Sequence, residues 1–260
     1  MKVSVVTACL NDRSTIEGTL KSILEQTYPD IEMIIVDGGS TDGTMEVVRG
    51  HAGRIARIIS EKDNGIYDAL NKGIRSATGE VVGFLHADDL YADRSAVEKI
   101  TQLFRDRNVD GAYGDLVYVD PLDTRKVVRY WRSGSCSPQK LKRGWLPPHP
   151  TFYVRRSVFA SHGTFDTRYR IAADYDLMLR LLLDKGIRVE YLPEVLVRMR
   201  LGGASNRSLA NLLQKSREDY AILKEHAVPF PVLVLLNKNF SKISQFFVRG
   251  AAARRSAHES

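Results

Sequence analysis

The chain has 260 residues, 43% hydrophobic and 27% charged, with a formal net charge of +7, a composition that fits a soluble globular protein built as one large domain or one domain with an appendage. Two cysteines, Cys9 and Cys136, make neither a disulfide framework nor a zinc spacing and suit a reducing cytosol. The longest apolar run, Val232 to Leu236, is far short of the roughly 20 residues of a spanning helix, and the opening "KVSVVTACLN" is too short and too polar for a secretory signal, so a cytoplasmic protein is expected.

In chain order, "KVSVVTA" reads as a strand, and Ser14 with Glu17 reads as a capping box opening a helix that carries Ile16, Leu20, Ile23 and Leu24 on one face. "IEMIIVDGGS" is a second strand broken by two glycines, and a short helix starts at Thr44. "RIARIIS" gives a third strand, "GIYDALNKGIRSA" a helix, and "EVVGFLHA" a fourth strand that is apolar on both faces. This alternation predicts an α/β fold with a Rossmann-like, mainly parallel central sheet flanked by helices. "PPHPTFYVRRSVF" predicts a stiff loop, an extended stretch and a short helix, and helical periodicity returns at about Asp174 with Gly186 as its stop.

Ligands of parallel sheets bind beyond the carboxyl ends of the strands. The polar and small residues collected there are Thr7, Ala8 and Asn11; Asp37, Gly38, Gly39 and Ser40; Glu61, Asp63 and Asn64; and His86, Asp88 and Asp89. Their convergence suits a nucleotide site with a metal. A Gly-x-Gly-x-x-Gly fingerprint and a P-loop are both absent after the first strand, which argues against a dehydrogenase and an ordinary ATPase. Asp88 and Asp89 end a buried strand side by side. Either a divalent cation offsets their repulsion, or Asp89 or Asp93 caps the helix expected near Ser95.

Arg207 to Ser260 hold nine Lys/Arg against four Asp/Glu, a net +5. No nucleic-acid motif accompanies this excess, so no nucleic-acid partner is expected. "VLVLLNKNFSKISQFFV" spaces Leu233, Leu236, Phe240, Ile243 and Phe247 as one apolar helical face, with Lys238 and Lys242 opposite. Such a helix over 229–249 lies on an anionic membrane, packs on its own domain or meets a second subunit in a homodimer. Residues 250–260 read as a disordered tail.

Together, "SVVTACLND", "QTYPDIEMIIVDGGSTDGT", "GIYDALNKGIRSATGEVVGFLHADD" and "AADYDLMLRL" resemble a family 2 glycosyltransferase of the GT-A fold, from about residue 2 to 205. The resemblance implies an inverting transferase that moves a sugar from a nucleotide diphosphate to an acceptor hydroxyl with Mg²⁺ or Mn²⁺. Asp88 and Asp89 resemble the metal-binding DxD element, with Asp89 as the direct ligand and Asp88 nearer the ribose or donor sugar. His86 stands where an acid is common in the family. Asp37 resembles the base-binding acid, although Gly38 replaces the aspartate that often follows; its plain alternative is a cap for the turn before Thr44. Thr7, Ala8, Asn11 and Asp63 fall to the nucleotide pocket and Lys72 to the pyrophosphate, with a solvated helical lysine as the alternative. Asp174 matches the catalytic base at a helix N-terminus, the preceding acid being replaced by Ala173, and an N-cap is its structural alternative. His149 and Asp176 are candidates for the acceptor side, His149 as an acceptor or pyrophosphate contact with packing as its alternative, and Asp176 with a structural role as its alternative.

The expected organisation is a GT-A domain over 1–205, divided into a nucleotide-sugar half (1–92) and an acceptor half (93–205), followed by a helical extension over 206–249. The expected donor is a UDP-sugar, with GDP or dTDP as alternatives, and the acceptor a glycan or lipid-linked hydroxyl in surface polysaccharide or glycolipid assembly. A silent nucleotide-sugar-binding scaffold and a sugar-phosphate nucleotidyltransferase are the rival readings. The second expects a Gly-rich basic loop that "ACLNDRSTIEG" does not supply.

Overall fold

The computed structural model describes residues 1–202 and 209–244. The first half builds β1 (Val3–Cys9), α1 (Ile16–Leu24), β2 (Ile31–Asp37), α2 (Thr44–Gly50), β3 (Arg57–Ser60), α3 (Ile66–Ser76) and β4 (Val81–Phe84). β1 pairs parallel with β2 and β4, and β2 with β3, as strands joined by crossover helices must. The run of apolar residues in β1 and β4 is buried throughout.

The second half adds β5 (Leu90–Tyr91), α4 (Ala96–Arg107), β6 (Gly111–Val119), β7 (Val127–Trp131), α5 (Pro138–Lys142), β8 (Tyr153–Arg155), α6 (Arg156–His162), α7 (Ala173–Leu179) and β9 (Val189–Arg200). α7 continues with wider, π-type turns over Arg180–Asp184. The sheet runs β3-β2-β1-β4-β8-β6-β9-β5, with β7 beside β6. The parallel order thus holds for the first four strands. β8 pairs antiparallel with β4 and β6, β7 antiparallel with β6, and β9 parallel with β6 but antiparallel with β5. The β4–β8 junction depends on Gly83, where a Cβ would lie 2.2 Å from the Tyr153 ring.

One face of the sheet is covered by α1 and α4, through Leu20, Ile23, Ile100 and Phe104. The other is covered by α3, α6 and α7, joined by α8 (Leu209–Glu225) and α9 (Pro231–Ser244), whose Ile222, Leu223 and Val234 belong to the same core.

Two local expectations are corrected. The Ser14–Glu17 box does not form: α1 starts after Thr15 without a side-chain cap, and Glu17 pairs instead with Lys21 at 2.7 Å. In α9 the inward face is Val234 and Lys238, not the stripe of Leu233 and Leu236, which are 62% and 50% exposed. Lys238 Nζ reaches Asp219 Oδ2 at 2.8 Å and lies 3.5 Å from the centre of the Tyr175 ring. Burial lowers the pKa of the lysine, and the Asp219 carboxylate and the aromatic face offset only part of the solvation it leaves behind. The side chains of Phe240, Lys242 and Ile243, Phe247, the 205/206 boundary and the tail 250–260 lie outside the described residues.

Candidate functional site

The loops after β1, β2 and β3 are bound to one another. Asn11, at a positive φ of 60°, donates its N–H to Ser40 Oγ (2.8 Å) and accepts from Thr41 N (2.9 Å). Asp37, buried at the end of β2, accepts from Ser60 Oγ (2.7 Å), Ser40 N (3.1 Å) and Gly39 N (3.3 Å). Asp37 thus caps its own turn through the Gly39 and Ser40 N–H groups, while Asp42 Oδ1 takes the Thr44 N–H at 2.9 Å at the start of α2. A Cβ on Gly38 would lie 2.4 Å from Asp63 Oδ2, so the space a side chain would need is filled by the Asp63 carboxylate. Asp37 and Asp63 therefore approach the same turn from two strands. Lys72 is engaged by Glu61 at 2.9 Å and Asp68 at 3.7 Å, and their carboxylates keep its pKa above the ordinary lysine value.

At the end of β4 the pattern reverses. Asp89 is fully buried and neither carboxylate oxygen has a hydrogen-bond partner. Burial, aided by the charge of Asp88, pushes its pKa well above the aspartate range. Asp88 is half-buried, its carbonyl receives Arg200 Nη1 at 2.5 Å, and its carboxylate has no hydrogen bond or ion pair among the described residues. The helix-capping alternative falls to Asp93, which takes the Ser95 N–H at 2.8 Å ahead of α4. His86 Nδ1, His149 Nε2 and Thr7 Oγ1 are buried without partners as well. His149 stacks on Phe84 with ring centres 5.1 Å apart and lies 5.6 Å from the His86 ring. Burial holds both histidines neutral, taking His149 down to about 4. Ala8 is buried in the core beside Thr7.

Asp174 closes this edge from the acceptor half. Its charge reaches both His86 and His149, and that of Asp88 reaches His86, which ties the two carboxylates to one neighbourhood. Asp174 Oδ1 accepts from Tyr175 N at 2.9 Å and lies 3.0 Å from Tyr67 Oη. α7 begins one residue earlier than expected, with Ala172 in the cap position, so Asp174 is not the N-cap. Ahead of the helix, the Glu218 carboxylate of α8 receives the N–H groups of Arg170, Ile171 and Ala172. Asp176 is buried between Arg180 (3.3 Å) and His226 (2.9 Å), which fits its structural alternative. Tyr67 and Glu218 were not among the residues expected at this edge. Tyr67 had one local signal, an aromatic residue in the first turn of α3; Glu218, one acid among several in an exposed-looking helix, had none.

Among the described residues no group of three or more His, Cys, Asp or Glu side chains gathers as a metal cage. A hard divalent ion shared with phosphates needs only one or two carboxylates, and the partnerless Asp88 at the surface with Asp89 behind it is a donor set of that kind.

A family model described as Glycosyl transferase family 2 matches residues 4–165. The PGL/p-HBAD biosynthesis glycosyltransferase of Mycobacterium tuberculosis is 30% identical over 207 residues, 78% of each chain. The chain belongs to glycosyl transferase family 2. A further relative by sequence, an uncharacterized glycosyltransferase of Nostoc, is 31% identical over 222 residues, 81% of this chain and 68% of that one. Among solved structures, S. aureus TarS 1–349 in complex with UDP-GlcNAc matches with a TM-score of 0.70 at 17% identity, covering 98% of this chain and 78% of that one. The mannosyltransferase PcManGT of Pyrobaculum calidifontis, in complex with GDP-Man and Mn²⁺, matches with a TM-score of 0.65 at 21% identity, covering 100% and 76%. These likenesses give this family 2 member the GT-A fold.

Proposed function

We propose that this glycosyltransferase is an inverting, metal-dependent enzyme with Asp174 as its catalytic base. It moves a sugar from a nucleotide diphosphate, UDP before GDP or dTDP, to a hydroxyl of a glycan or lipid-linked acceptor in surface polysaccharide or glycolipid assembly. One observation carries the reading: Asp174 is a half-exposed carboxylate held by the Tyr67 hydroxyl on the strand-end edge that also carries Asp88. An inverting transfer needs one carboxylate to take the acceptor proton as the hydroxyl attacks opposite the leaving group, and an anion there also favours the cationic sugar ring of the transition state. Relatives named for PGL/p-HBAD biosynthesis, and neighbours in complex with UDP-GlcNAc or with GDP-Man and Mn²⁺, support a nucleotide-sugar donor and a biosynthetic acceptor.

Mg²⁺ or Mn²⁺, when bound, neutralises charge on the departing diphosphate. In this reading Asp89 is the direct ligand, a use that its two buried, partnerless carboxylate oxygens support, with Asp88 nearer the ribose or donor sugar. Thr7, Ala8, Asn11, Asp37 and Asp63 bound the base and ribose, Lys72 stands toward the pyrophosphate, and His149 with His86 forms a neutral wall between donor and base. The catalytic unit is 1–205, and α8 and α9 of the following extension dock on its acceptor half.

Asp174→Asn tests the reading. Transfer should fall by at least ~10²-fold while nucleotide-sugar binding stays near parental. Transfer at the parental rate would sink the base assignment and favour a silent nucleotide-sugar binder.

The reading includes contact with an anionic membrane surface beside a lipid-linked acceptor. Phe230, Val232, Leu233 and Leu236 are 73%, 58%, 62% and 50% exposed, next to the net +5 of Arg207 to Ser260. Leu233→Glu combined with Leu236→Glu should reduce sedimentation with anionic vesicles. Unchanged sedimentation would assign this face to a second copy of the chain instead.

A further inference from the structure

Two groups outside the reacting edge converge on the segment that carries Asp174. Glu218 Oε2 takes the N–H of Ile171 at 2.8 Å and of Ala172 at 2.9 Å, and Oε1 takes the N–H of Arg170 at 3.1 Å. Gln214, one turn earlier in α8, donates Nε2 to Oε1 at 3.0 Å and fixes the carboxylate. From the other side, Tyr67 Oη lies 2.8 Å from the carbonyl of Ile171 and 3.0 Å from Asp174 Oδ1. Burial, reinforced by the charge of Asp174, keeps the Tyr67 phenol protonated, so its one proton is shared between these acceptors. The Ile171 residue is thereby pinned at its N–H by Glu218 and at its carbonyl by Tyr67, three residues before the base.

Resting on the reading of Asp174 as base, we propose that Glu218 is a positioning residue for the transfer step: it orients Asp174 by holding the Arg170–Ala172 backbone against Tyr67. Three backbone N–H groups directed at one carboxylate form a charge-assisted set, stronger than neutral hydrogen bonds. Without it, three donors ahead of α7 lose their partner and the segment is free to turn. Small displacements of a positioned catalytic group cost rate steeply, about 10²-fold for 1 Å. The C-terminal helices thus set the geometry of the base without touching substrate.

The test uses the full chain and two readouts. Amide exchange applies whatever donor the enzyme takes: Glu218→Ala should remove protection at residues 170–172 while β1 and β4 stay protected. Unchanged protection at 170–172 overturns the proposal. The second readout is UDP release from UDP-GlcNAc with Mn²⁺, water acting as acceptor. Glu218→Ala should lower kcat by about 10- to 100-fold with KM for UDP-GlcNAc unchanged, Glu218→Gln should recover part of the loss, and Glu218→Ala added to Asp174→Asn should cost nothing further. An equal loss in the Asp174→Asn background, or a change confined to KM, overturns the proposal. If Glu218→Ala fails to fold, Glu218→Gln and Tyr67→Phe carry both readouts. Asp174→Asn at the parental rate sinks the base assignment instead, an outcome distinct from a silent Glu218.

Discussion

Two stretches of the same sheet edge differ in how their polar atoms are satisfied. After β1, β2 and β3 the loops bond to each other: Asn11 to Ser40 and Thr41, Asp37 to Ser60 and two backbone N–H groups, Asp63 to Gly65. At the end of β4, Asp89, His86, His149 and the nearby Thr7 keep buried atoms with no partner. Buried polar groups are nearly always paired, so the first stretch is a finished scaffold that can present its groups to a ligand, and the second holds buried atoms whose bonds are still to be made. Residue type alone does not separate them, since both are rich in aspartate.

The largest stability effect should come from the finished side. Asp37→Ala strips partners from Ser60, Ser40 and Gly39 and should cost about 3 kcal/mol, read as a fall in the denaturation midpoint. A loss below ~1 kcal/mol would mean that the loops do not depend on one another. Gly38→Ala is next, since its Cβ would meet Asp63 Oδ2 at 2.4 Å. Displacing that carboxylate should cost about 1–3 kcal/mol and weaken nucleotide binding.

The smallest effect, and of opposite sign, belongs to Asp89. Its folded-state pKa is raised above the unfolded value, mainly by burial, so folding takes up a proton. The stability this contributes is complete below the ordinary aspartate pKa of about 3.9 and is lost as pH rises toward the folded-state pKa. Asp89→Asn removes that loss and gives up no hydrogen bond. Measured without metal, the variant should gain on the parent as pH rises through that window. A variant that loses ground with rising pH would show that Asp89 is charged and paired in the fold.

Much of this was legible in the sequence. The four parallel strands follow from apolar runs, their helices from local periodicity, and the polar residues at the strand ends from the rule that ligands bind there. What escaped depends on contacts between distant segments. One exception is local: Glu17 has Lys21 at i+4, a pair as legible in the sequence as the Ser14–Glu17 box that does not form. Lys238 looked like a wet-face residue because its partners, Asp219 and Tyr175, come from two other helices. Asp37 matched a family acid, but its bond to Ser60 appears only once β2 and β3 are side by side. The replacement of a second aspartate by Gly38 became intelligible when Asp63 was found filling the space.

The docking of α8 and α9 also bears on the order in which the protein comes into being. A nascent chain synthesised as far as Leu201 already contains every strand of the described sheet. It still lacks Glu218, which holds the backbone ahead of α7, and Lys238, which covers Tyr175 beside Asp174. The donor half can therefore form while translation continues, but the segment bearing the base is completed only by residues made after the last strand.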